Sequence, residues 1–355
     1  MTKPQPDTAQ ARLEVAQPQP DPRPLEAKVH ARNLVAWARD KPKVLVLSAD
    51  LTSSCEADLF RDVYPDRFLS MGIAEQNMLS FAAGLAREGF MPLVHTFAVF
   101  IYRRAFDQVA MSIAYANAPV KMIGFLPGIT TPGGASHQAI EDIAVMRALP
   151  NMTVIECGDA SEVESVLDVA AAVPGPVYVR MLRGELPRLF SEPMQLDTPR
   201  ILAIGDDLTV LSTGICTEEA CKAVAALQAR GVGVQHLHLS TLQPCDHPAV
   251  IDALARPRHG VITLENHLVT GGLGSIAAEK IADHGLGKRL YRLGLQGRFA
   301  HGASRGYLMR EFGLDAPALV GAAERALGQS LGIDADELAR VRVEAVHSSA
   351  KAEAL

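Results

Sequence analysis

Long apolar runs are missing from this chain. No stretch of its 355 residues approaches the roughly 20 apolar residues a membrane span needs. The opening Met-Thr-Lys-Pro-Gln-Pro also lacks the apolar core of a signal peptide, so a cytoplasmic protein away from membranes is expected. Basic blocks are missing too: with a formal charge of −6 and no Lys/Arg cluster, the broad basic face that grips nucleic acid is not expected. Cysteine is scarce. Cys55, Cys157, Cys216, Cys221 and Cys245 form an odd set without a Cys-x-x-Cys pair, which fits neither a disulfide framework nor a zinc knuckle. Aromatics make up only 5% of the chain, so any local concentration of them is informative. What is present, 48% hydrophobic residues over this length, suffices for two domains and is short for three α/β domains.

Residues 1–24 carry six prolines and little apolar periodicity, a composition that predicts a disordered tail. From residue 25 short β-rich runs (43–50, 119–125, 152–157, 176–183) alternate with helix-period stretches (74–88, 102–117, 138–149, 161–173). Ser161 and Glu164 stand in capping-box spacing at the start of the last helix. Residues 184–200 turn Pro-rich and polar. A second alternating series follows at 208–214, 217–230, 233–239, 261–265, 272–282 and 290–295, with two closing helices between Ser304 and Leu327. The reading is two consecutive α/β domains with mostly parallel sheets, at 25–190 and 201–335, joined by a linker at 191–200 and followed by a charged tail at 336–355.

Three stretches carry candidate chemistry. In Met71-Gly-Ile-Ala-Glu75-Gln-Asn-Met78, a strand-like run meets a helix through Gly72, which puts Glu75 in the first turn. Such an acid complements the helix dipole. The helix that follows is apolar nearly all round, however, and a buried carboxylate needs a partner or a task. Thr96-Phe97-Ala-Val-Phe100-Ile-Tyr102-Arg103-Arg104 packs three aromatics and two arginines into nine residues, where a flat ring could be sandwiched. The Gly/Pro-rich loop 124–142 delivers His137 at the expected start of the next helix, which it either caps or extends toward a ligand.

Taken together, Asp50-Leu51 after a strand, Gly72-Ile-Ala-Glu75-Gln, Thr96-Phe97-x-x-Phe100, Gly133-Gly-x-Ser-His137-Gln-x-x-Glu-Asp142 with Leu149-Pro-Asn151, and Asp159-Ala160 resemble the transketolase family, in its order and approximate spacing. The resemblance covers residues 25–330 and only the pyrimidine-binding and C-terminal domains. The family's Gly-Asp-Gly motif with a downstream Asn, which holds a diphosphate and its metal, has no match here; the nearest string, Ile204-Gly-Asp-Asp207, leads into a strand.

What the resemblance implies is a ketol-transferring subunit dependent on thiamine diphosphate. Glu75 would touch the aminopyrimidine N1′, Phe97 and Phe100 would lie against its ring, and Leu51 would lie near the cofactor's bend. His137 would face the donor's hydroxyls as the second catalytic residue. Arg183, Ser54 and Lys28 would hold the sugar phosphate. No metal ligand is assigned to this chain: Mg or Ca would sit mainly on an N-terminal transketolase subunit carrying the diphosphate-binding domain, in an α2β2 assembly that also self-dimerises. Two departures stand out, Gly133 where many members have an Asp and Phe125 where they have a His. They point toward a branched or modified ketose phosphate such as apulose 4-phosphate. A β-type subunit of a 2-oxoacid dehydrogenase and a non-catalytic subunit that kept the fold remain as alternatives. The Gly271-Gly-Leu-Gly274 string resembles a dinucleotide loop without its full pattern, and His236, His238, Cys245 and His247 assemble a metal site only on paper.

Overall fold

The computed structural model describes residues 25–341. The expected tail at 1–24 lies outside the described residues, as do residues 342–355 of the expected charged tail; its start forms the helix Ala335–Arg340.

The first half of the chain contributes strands β1 (Glu26–Ala27), β2 (Val44–Ser48), β3 (Phe68–Ser70), β4 (Met91–Phe97), β5 (Lys121–Phe125), β6 (Thr153–Glu156), β7 (Val177–Met181) and β8 (Glu185–Leu186). The second half contributes β9 (Arg200–Ala203), β10 (Leu208–Ser212), β11 (Val234–His238), β12 (Thr241–Gln243), β13 (Gly260–Leu268) and β14 (Leu290–Leu295). A seven-stranded sheet runs β12-β6-β7-β5-β4-β2-β3 and a five-stranded sheet β14-β13-β10-β11-β9, while β1 and β8 form a small antiparallel ribbon. All pairings in the large sheets are parallel except β12 on β6 and β9 on β11. Strands such as β5 and β7 are buried at every position because helices cover both faces, which is why they read as near-continuous apolar runs.

Two consecutive α/β units with mostly parallel sheets are therefore present, with several local differences from the sequence reading. The helix expected at 102–117 begins earlier, at Ala98–Arg103, breaks at Ala105, and continues through Phe106–Gln108 into a π-helical turn, Val109–Ala114. The helix expected at 138–149 is only Asp142–Arg147, because residues 138–141 stay irregular. His137 consequently lies in the loop and not at a helix start. The helix Ala160–Ala172 is capped by Asp159 and not by Ser161: the Asp159 carboxylate accepts from Glu162 N at 2.9 Å, and from Leu189 N and Phe190 N at 2.7 and 2.9 Å. Strands β1, β4, β8, β9 and β12 were not expected. Thr241–Gln243 leaves the second unit and pairs with β6 of the first.

Buried histidines tie stability to pH. His30 and His95 face each other with Nε2 atoms 2.9 Å apart, so one ring donates and the other accepts. Burial lowers His95 from 6.5 to about 4, and burial together with His95 lowers His30 well below its ordinary value. Burial also takes His236 to about 3 and His267 to about 4. On unfolding each ring regains an ordinary affinity, so the unfolded chain binds protons that the native one excludes. Their contribution is complete above about pH 6.5 and is lost as pH falls toward 4, at about 1.4 kcal/mol per pH unit for each ring. A His95→Gln variant, whose amide still meets His30, is expected to show a shallower fall in melting temperature between pH 7 and 5. Identical slopes would remove His95 from this account.

Candidate active site

The order of the large sheet fixes where a ligand crevice forms. From β2 the chain passes outward to β3, then returns across β2 to β4 and continues to the other side. The carboxyl ends of β2 and β4 therefore flank a topological switch point, where open α/β sheets bind ligands. Leu51 and Ser54 follow β2, Glu75 opens the helix after β3, Phe97 ends β4, Phe100 lies in the helix after it, His137 belongs to the loop after β5, and Arg183 follows β7.

Five of these side chains converge. Phe97 and Phe100 lie nearly parallel, centroids 5.7 Å apart at 29°. The His137 ring stands edge-on to both, at 6.2 and 5.6 Å. Glu75 is buried, with 3% of its side chain exposed, and its Oε1 accepts from Arg104 Nη1 at 2.9 Å. The Arg104 guanidinium also lies 3.7 Å from the Phe100 centroid. On the other flank the Arg183 guanidinium stands 5.9 Å from the Phe97 ring and donates to the Ser54 carbonyl at 3.0 Å. Leu51 joins through its backbone: its carbonyl accepts from Cys55 N at 2.8 Å, closing the turn that carries Ser54, and its side chain packs on the core. Lys28 is exposed and pairs with Asp58 at 3.1 Å. Between Lys28 and Arg183 lies Glu56, which burial pushes up while amides of Gly184 and Ala31 and the two cations pull it down.

The loop that carries His137 is held from several sides. Arg103 grips Glu141 through both carboxylate oxygens at 2.8 Å and donates to the Ala135 carbonyl at 2.7 Å. Burial would raise Glu141, yet the Arg103 pair holds it below the usual range. From the second unit, Asn266 accepts from Ile129 N at 2.9 Å and donates to the Pro127 carbonyl at 3.1 Å. Ser136 Oγ lies 2.9 Å from His137 Nδ1. Beneath the loop, fully buried Arg180 bonds Asp142 at 2.9 Å, pairs with Glu156, and donates to the carbonyls of Ala139 (3.1 Å) and Asn266 (3.0 Å). Tyr178 donates to Asp142 at 2.6 Å, and Thr213 to Glu156 at 2.9 Å. Arg183 also lines a cavity of about 260 Å³ between the ends of β5–β7 and the helices Cys216–Ala229 and Arg305–Glu311.

Sequence reasoning left Tyr102-Arg103-Arg104 unassigned, and the structure gives each a separate place: Tyr102 in the core, Arg103 on the His137 loop, Arg104 on Glu75. Asn266 and Arg180 were missed because their partners lie far away in sequence. The glycine string after β13 serves packing. Its helix amides, Leu273 N and Gly274 N, donate to the chain's own Glu265 at 2.6 and 2.8 Å, and a Cβ on Gly272 would lie 1.9 Å from that carboxylate. Burial pushes Glu265 up to about 8 against those amides. His236 bonds Ser212 at 2.8 Å, His238 meets Thr217 at 2.6 Å and Glu162 at 3.1 Å, and His247 caps the helix Pro248–Ala255. No group of three His, Cys, Asp or Glu among the described residues is arranged to hold a metal ion, and no described helix is long and apolar enough to cross a membrane.

Comparison with known proteins agrees with this architecture. The family model for the transketolase pyrimidine binding domain matches residues 27–188, and that for the transketolase C-terminal domain matches residues 198–319. The chain is 38% identical over 82% of its length to the 6-deoxy-6-sulfo-D-fructose transketolase subunit SqwH of Clostridium sp. (strain MSTE9), covering 90% of that protein. It is 31% identical over 83% of its length to an apulose-4-phosphate transketolase subunit of Actinobacillus succinogenes, covering 96% of it. Among solved structures, a split gene transketolase described as an inactive β4 tetramer superimposes with a TM-score of 0.77 at 35% identity, over 85% of this chain and 98% of that one. With both domain models met in chain order and split-enzyme subunits matched almost end to end, the chain belongs to the transketolase family and corresponds to its pyrimidine-binding and C-terminal domains.

Proposed function

We propose that this chain is the C-terminal subunit of a two-chain, thiamine-diphosphate-dependent transketolase that moves a two-carbon ketol unit between phosphorylated sugars. The observation that carries the reading is the convergence of Glu75, Phe97, Phe100 and His137 at the switch point, with Arg183 beside them. A buried carboxylate and an aromatic face already shared by one planar, nitrogen-bearing group fit an aminopyrimidine. Thiamine diphosphate, when bound, supplies the electron sink for the ketol unit. Glu75 would share a proton with the ring nitrogen, Phe97 and Phe100 would offer the aromatic surface against which the ring lies, and Leu51 would border it. His137 meets the donor's hydroxyls, and Arg183 with Ser54 and Lys28 receives the phosphate.

In this reading the diphosphate and its divalent metal are held by a partner subunit, and the assembly is α2β2 in the cytoplasm. The description of a solved relative as an inactive β4 tetramer supports a chain that self-associates without catalysing. The substrate reading rests on Gly133. A Cβ there would lie 3.0 Å from Cβ and Cγ of His137, so any side chain at this position would press on His137. Without that carboxylate the site loses a reader of sugar hydroxyls, which supports a branched or modified ketose such as apulose 4-phosphate.

The test is reconstitution. Ketol transfer is expected only when the chain is mixed with a polypeptide bearing the diphosphate-binding domain, together with thiamine diphosphate, Mg²⁺ and a ketose phosphate. Transfer by the chain alone would overturn the two-chain reading, and decarboxylation of 2-oxoacids in place of transfer would overturn the reaction.

A further inference from the structure

Arg104 sits where the helix Ala98–Arg103 breaks; its own backbone is still helical, and Ala105 departs to φ −134, ψ 26. Its guanidinium makes two contacts at once, 3.7 Å from the Phe100 ring centroid and 2.9 Å from Glu75 Oε1. Phe100 also meets Phe97 and His137 and is only 9% exposed, so little of its surface remains for another planar group while Arg104 is in place. The ring face and the carboxylate are the same two features that the proposed function gives to the aminopyrimidine, on which this inference rests.

We infer that Arg104 is a placeholder in the cofactor's seat, holding Glu75 and covering Phe100 until the pyrimidine displaces it. The exposures favour this exchange. The Arg104 side chain is 45% exposed and can rehydrate when it leaves, whereas Glu75, at 3%, is stranded without a partner unless another donor replaces the guanidinium. Arg104 therefore stabilises the cofactor-free chain and opposes cofactor entry.

The test uses thiamine diphosphate itself. Its dissociation constant is measured by calorimetry on the two-chain complex, and the melting temperature is measured on the full-length chain without cofactor. Arg104→Ala is expected to bind about tenfold more tightly and to melt a few degrees lower than the wild type. Arg104→Lys, which keeps the charge on Glu75 and loses the planar stack, is expected between the two in both measurements. Weaker binding by Arg104→Ala, or no change in either quantity, would overturn the placeholder. A wild-type complex that binds no thiamine diphosphate would instead overturn the reading of the seat, and the placeholder with it.

Discussion

Replacing Glu75 by glutamine is expected to lower ketol transfer by the two-chain enzyme about 10²- to 10⁴-fold, the range spanned by positioned proton-transfer groups. The substitution preserves shape. Glutamine keeps an oxygen that can accept from Arg104 and fits the same buried first turn of the helix Glu75–Arg87, but it cannot hold a proton between its oxygens and a ring nitrogen. The loss should fall on kcat, with thiamine diphosphate binding changed much less. A variant that retains full rate with the cofactor bound would end the proton-holding role. A variant that loses binding in proportion to rate would recast Glu75 as an anchor.

The largest effect on stability is expected at Arg180. Arg180→Met should cost about 3–5 kcal/mol, because it leaves Asp142 and Glu156 buried without their cation. That is a large share of the roughly 5–15 kcal/mol that holds a typical domain together. The damage extends to the site, since the carbonyls of Ala139 and Asn266 lose the donor that ties the His137 loop to the second unit. The urea midpoint should fall accordingly. The triple variant Arg180→Met, Asp142→Asn, Glu156→Gln, which removes the stranded charges as well, should recover much of the loss. A single variant that unfolds at the wild-type midpoint would show that the network contributes no net stability.

Much of this molecule was legible in its sequence. Buried strands such as β5 and β7 announce themselves as unbroken apolar runs, and their alternation with helices implies the parallel sheets. The side chains gathered at the switch point stand in short local strings, so Glu75, Phe97, Phe100 and His137 could be named one by one. What escaped was non-local. Arg104 and Arg103 are neighbours in one string, and only the partners brought by the helix after β3 and by the His137 loop separate their tasks. Periodicity could not reveal the break at Ala105, since an apolar stripe continues through it. The cap at Asp159 was misassigned although its capping partner, Glu162 N, is local, because Ser161 and Glu164 offer the same spacing two residues later. Strand β12 has three residues and no pattern of its own; only the open edge of β6 makes it a strand.

That short strand has an evolutionary consequence. Thr241–Gln243 seals the outer edge of the first unit's sheet, leaving no unpaired β6 to recruit foreign strands. The place where the chain can be cut and recombined is therefore not the polar segment between the units. A gene fusion that exchanged everything after residue 200 would also exchange the edge guard of a sheet that stayed behind, so second units can be traded among relatives only together with a fitting seal.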